Sequence, residues 1–132
     1  GSVDLPNVNI FKEQLEVFIE FLTQVNPDGE QAKDLDFLLN LGELFTLVVY
    51  GQLIIENAKI YDISDVLLDQ IFDFIVRDFS KYALQLYSKQ SSTEQQQEIL
   101  LRMIKKPHVD KERFETVWKE VYSLNGLYEM KK

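Results

Sequence analysis

At 132 residues the chain has the length of one domain, and such a domain buries roughly two-thirds of its unfolded surface with no need of a disulfide or metal. Apolar residues make up 45% and charged residues 27%, ordinary globular proportions, and the absence of cysteine removes disulfides, thiolate nucleophiles and cysteine-ligated metals together. A formal net charge of -8 argues against a nucleic-acid binder, because phosphate backbones recruit clustered Lys and Arg.

The chain opens "GSVDLPNVNI", without a basic stretch followed by an apolar run, so no signal peptide is read there. Together with the missing cysteines this sets the expectation of a cytoplasmic protein. Gly1-Ser2 without a methionine reads as a cloning scar, and residues 1–132 as a single helical domain excised from a longer chain.

Prolines stand only at Pro6, Pro27 and Pro107, and the long intervals rich in Leu, Glu, Gln, Asp and Lys predict helices rather than strands. In the first, Asn7 is the expected N-cap. Val8, Phe11, Leu15, Phe18, Leu22 and Val25 follow at spacings of three and four, a stripe widened by Ile19. "NPDG" then reads as a turn.

A second helix is predicted from about Glu30 to Ala58, apolar on almost every face from Phe37 to Ile55. A membrane span is disfavoured: Glu43 at its centre would cost roughly 2–3 kcal/mol on insertion scales. Its ends, moreover, carry Asp34, Asp36 and Glu56 instead of a basic flank. The expectation is a rod wrapped on all sides by neighbouring helices. Gly42, Thr46 and Gly51 let backbones approach, or leave room for a ligand groove. Glu43 on such a helix is only a weak catalytic signal.

Asp62 or Ser64 is expected to cap a third helix, about Asp65 to Tyr87. Its buried stripe is Leu68, Ile71, Phe72, Ile75, Phe79, Tyr82, Ala83 and Leu86. Opposite run Asp65, Asp69, Asp73, Arg77 and Lys81, each four residues from the last. Acids early and bases late suit the helix macrodipole, so this reads as a solvated stripe with an Asp73–Arg77 pair, not as a metal site.

Ser91 with Glu94, or Ser92 with Gln95, is expected to box a short fourth helix that runs to about Ile104 before "KKPH". Asp110 caps a fifth. Phe114, Val117, Val121 and Leu124 share one of its faces, Trp118 and Tyr122 lie alongside, and Asn125-Gly126 closes it. No repeat or heptad array is read. The fold class expected is all-α, an antiparallel helical bundle of about five helices on a long central hairpin of helices two and three. Acids dominate from Asp28 to Asp78 and bases slightly from Arg102 to Lys132, two regions expected to pair within the fold.

Catalytic constellations are missing. The single histidine, His108, adjoins a proline; there is no H-E-x-x-H pair, Glu-x-x-His di-iron motif or glycine-rich phosphate loop. No catalytic or metal-ligating residue is assigned.

Three blocks, "LLNLGELFTLVVYGQLIIENA", "LLDQIFDFIVRDFSKYALQLYSKQSSTEQQQ" and "RMIKKPHVDKERFETVWKEVYSLNGLYEM", resemble the C-terminal helical region of bacterial acyl-CoA dehydrogenase-like flavoproteins. The resemblance implies a parent FAD oxidoreductase that oxidises an acyl-CoA thioester across its α,β carbons. A glutamate takes the α-proton and the flavin takes the hydride; the C-terminal helices pack against the active-site cleft and the partner subunit. The middle strand domain of that family is missing from this sequence. Tyr128-Glu129 matches a family Tyr-Glu-Gly element in part, but Met130 replaces the glycine, so Glu129 is not assigned as a base. The piece is therefore expected to be non-catalytic and to hold no cofactor of its own. Its partners would be the parent's remaining domains and further copies in a homo-oligomer. Two other readings stand beside it: a free-standing helical interaction or dimerisation module, and a small-molecule binder with a pocket between helices two and three at Gly42 and Gly51.

Overall fold

Pro6 opens the first helix, where its fixed φ and missing N–H suit the first turn. In the computed structural model, which describes residues 3–26 and 29–130 and side chains as far as Leu124, the chain is an all-α bundle. Its helices are α1 (Pro6–Leu22), α2 (Leu35–Ile60), α3 (Asp65–Tyr87), α4 (Glu94–Met103) and α5 (Lys111–Met130), with a 3₁₀ turn over Glu30–Lys33. Gly1-Ser2 and the Pro27-Asp28 centre of the expected turn lie outside the described residues.

Local chemistry explains most boundaries. Asp34 caps α2, its Oδ1 accepting from the Phe37 amide at 3.1 Å, and that bond holds its carboxyl below the ordinary 3.8. Ser64 caps α3 through the Leu67 amide, and Asp62 before it adopts a left-handed φ of 51° that turns the hairpin. Asp110 caps α5, as expected, by accepting from the Arg113 amide at 3.1 Å.

Three expected boundaries differ. Leu5, not Asn7, stands at the N-cap of α1 and gives it no side-chain bond. The box on α4 is Thr93 with Gln96, one residue beyond the nearer of the two expected pairs. Tertiary bonds select that register: Gln96 Nε2 donates to the Gln24 carbonyl at 2.7 Å and to Gln31 Oε1 at 3.0 Å. Finally, α5 continues through Asn125 and Gly126 to Met130 instead of closing there. A glycine inside a helix costs only about 1 kcal/mol, too little to end one by itself.

The hub is α3, which packs against all four other α-helices. Between α1 and α3 lies a phenylalanine cluster: Phe11 sits 5.2 Å from Phe72 and 6.3 Å from Phe79, centroid to centroid, and Phe18 meets Phe79 edge-on at 5.9 Å. Leu100 and Met103 of α4 complete this core. The predicted α3 stripe is buried or half-buried throughout.

The expectation for α2 is overturned. It is not jacketed; it lies on the outside, against α3 and the rings of α1. Its buried residues are Phe37, Leu44, Gly51 and Ala58, one narrow seam at seven-residue intervals. The most apolar stretch of this helix is only 11% buried. The reason is a shortage of neighbours: α4 is ten residues long, and α5 packs chiefly on α3 among the described residues.

The two glycines of α2 differ accordingly. A Cβ on Gly51 would run into the Phe11 ring, with Cε1 at 2.8 Å, whereas one on Gly42 would meet nothing within 4 Å. Gly51→Ala is therefore expected to destabilise the domain by about 1–3 kcal/mol through overpacking. Gly42→Ala should stabilise the monomer by up to about 1 kcal/mol through helix propensity. Urea denaturation of the two variants reads both signs.

Candidate docking surface

Opposite the α2 seam the helix carries a second apolar face. Leu35, Leu39, Gly42, Thr46, Val49 and Leu53 follow at alternating spacings of four and three, and Ile60 continues the line. At 3.6 residues per turn such a row stays on one side of the helix. Exposure of the large side chains here runs from 41% at Leu38 to 72% at Ile60. Phe45, Val49 and Tyr50 fall within that range. Monomeric proteins seldom expose a continuous apolar patch beyond a few hundred Å². The small residues sit mid-row, where the Thr46 hydroxyl is folded back onto the Gly42 carbonyl at 3.0 Å. Thr46 thus presents its methyl without an unpaired donor.

One flank is acidic, with Asp36 and Glu43. These line, with Asn40, Tyr82 and Lys89, an open cleft of about 700 Å³. Lys89 pairs with Asp36 at 3.2 Å. Glu43 is exposed. That cleft lies between α2 and α3, but neither Gly42 nor Gly51 makes the room expected of it: the Phe11 ring fills the space at Gly51, and Gly42 faces outward.

A lesser apolar face lies on α5. Phe114, Trp118, Val121 and Leu124, expected to be core, are exposed, with Val117 half-buried. What fixes α5 is its first turn. Arg113, buried, donates to Asp69 Oδ2 at 2.6 Å, Asp73 Oδ2 at 3.1 Å, Gln70 Oε1 at 3.0 Å and the His108 carbonyl at 3.0 Å. Asn7 joins this cluster from α1: its backbone amide donates to Asp69 Oδ1 at 2.8 Å, and its side chain bonds both the N–H and the carbonyl of His108.

The acidic row on α3 is therefore not one solvated stripe. Asp65, Arg77 and Lys81 are exposed, but Asp69 and Asp73 are buried beneath Arg113. The Asp73–Arg77 pair is present at 2.6 Å. Sequence reasoning missed Arg113 because a lone Arg in a polar first turn looks like a surface residue, and it gave Asn7 a local capping role where the side chain instead bonds His108, far along the chain. The acidic centre and the basic tail do meet here. With both carboxylates bonded, the cluster is an internal tie with no ligating group to spare. Among the described residues no group of three His, Asp or Glu side chains is placed to hold a metal ion.

Elsewhere charge is peripheral. Arg102 donates to Glu20 at 2.6 Å, which holds the Glu20 carboxyl below its ordinary range, and Lys105 pairs with Glu13 at 3.4 Å. Such exposed pairs orient α4 on α1 more than they stabilise it. The side chains of Asn125, Tyr128 and Glu129 lie outside the described residues. No family model, curated protein or solved structure matches the chain.

Proposed function

We propose that this chain is a helical interaction domain whose outward α2 face is covered by another protein surface, and that it carries no chemistry of its own. The observation that supports this is the outer row from Leu35 to Leu53, with Ile60 two turns further on, exposed along a helix whose opposite seam is already used. An apolar helix face laid into a complementary groove is a common recognition mode, with anchors at three- and four-residue spacing. The flavoprotein resemblance is one candidate identity for the covering surface: the FAD- and acyl-CoA-binding parts of a longer cytoplasmic enzyme. It rests on the quoted residues alone.

A bilayer is the competing cover, since α2 is long and apolar enough to cross one by length and composition. A protein surface is favoured because insertion would strip Phe37 and Leu44 from their core contacts and bury Asn40 and Glu43 in hydrocarbon. The net charge of -8 would also repel anionic headgroups. Photo-crosslinking tests the choice. A benzophenone amino acid at Val49, irradiated in the producing cell, should yield a discrete protein adduct. A lipid adduct, or none, overturns the proposal.

A further inference from the structure

Resting on that reading, we infer that the surface covering α2 is α2 of a second copy, docked antiparallel about a two-fold axis between Leu47 and Val48. The row is complementary to itself in this orientation. Such an axis sets Gly42 against Leu53 of the second copy and Thr46 against Val49, each small residue facing a larger one, with Leu35 against Ile60 at the ends and Leu39 against Glu56 as the one polar step. The open space over Gly42, with nothing within 4 Å of a built Cβ, is the hole that Leu53 fills.

The flanks agree. On the acidic side Glu43 comes beside Tyr50 of the second copy, where the carboxylate accepts from the phenol, and Asp36 comes beside Asn57; no two acids are set face to face. A parallel pair would instead put Gly42 against Gly42, Leu53 against Leu53 and the two acidic N-terminal ends together, with the helix dipoles aligned side by side. Antiparallel packing opposes the dipoles, which is favourable.

The area suffices. Eight large apolar side chains of this face are about half exposed, from Leu35 to Ile60. At roughly 150–200 Å² for each fully exposed side chain they present on the order of 800 Å², the share of one partner in a standard specific interface.

The chain contains no cysteine, so engineered ones report cleanly. Gly42→Cys and Leu53→Cys proteins, mixed and mildly oxidised, should form disulfide-linked dimers at least tenfold faster than either protein alone. Like positions lie about 16 Å apart along the axis of an antiparallel pair, at a rise of 1.5 Å per residue. Leu53→Glu should weaken dimerisation at least tenfold in sedimentation equilibrium while leaving helicity, and the unfolding midpoint at dilutions where both proteins are monomeric, unchanged, because Leu53 is half exposed and outside the core. Preferential linking of like cysteines, or a monomer at all concentrations, overturns this inference. A monomer whose Val49 photo-adduct is a different protein sinks the homodimer and leaves the docking domain standing; a lipid adduct sinks both.

Discussion

Arg113→Leu is expected to cost the fold about 3–5 kcal/mol, the largest loss of any single charged residue here, because it leaves the buried Asp69 carboxylate without a cation and Asp73 with Arg77 alone. Asp69 loses its cation and Asp73 one of two, Gln70 and the His108 carbonyl lose a donor, and α5 loses the tie that seats its first turn on α3. Urea denaturation at neutral pH measures the loss. Arg113→Lys should recover only part of it, since one ammonium cannot reproduce a planar fork that reaches two carboxylates and an amide at once. By contrast, Arg102→Ala breaks an exposed pair and should change stability little.

Phe11→Ala is expected to remove about 3–5 kcal/mol by opening a cavity in the fully buried cluster. The same ring occupies the gap at Gly51, so its loss also loosens α2 on the bundle. A double-mutant cycle separates these effects. Gly51→Ala, destabilising in the parent, should become neutral or stabilising beside Phe11→Ala, because the added methyl then enters the vacated space. Additive costs would show that Phe11 and Gly51 do not meet.

What could be read in the sequence follows from how local each signal is. The all-α class, the α3 stripe and the caps at Ser64 and Asp110 depend on a few neighbouring residues, and they hold. The placement of α2 does not: apolar residues all round a helix indicate what it must avoid, which is water, but not whether the cover comes from its own chain. Its 4–3 outer row was hidden for the same reason. Periodicity is invisible where the intervening positions are apolar too, and α2 emerges as two-sided only once α3 and Phe11 are known to take the Phe37–Ala58 seam. The polar tie at Arg113 was hidden because its side-chain partners lie forty or more positions upstream. The capping register on α4 was set by Gln31 and Gln24, equally remote from it in sequence.

The two-sidedness of α2 is tested most directly by the reactivity of single cysteines along it. In dilute protein, cysteines at Gly42, Thr46 and Leu53 should react with a thiol reagent at close to the rate of a free thiol, and one at Leu44 should be strongly protected. As protein concentration rises, protection should spread to the outer positions while Leu44 stays as it was. Equal protection at all four positions at every dilution would mean that the helix is enclosed by its own bundle, and the account of α2 as a docking surface would be wrong.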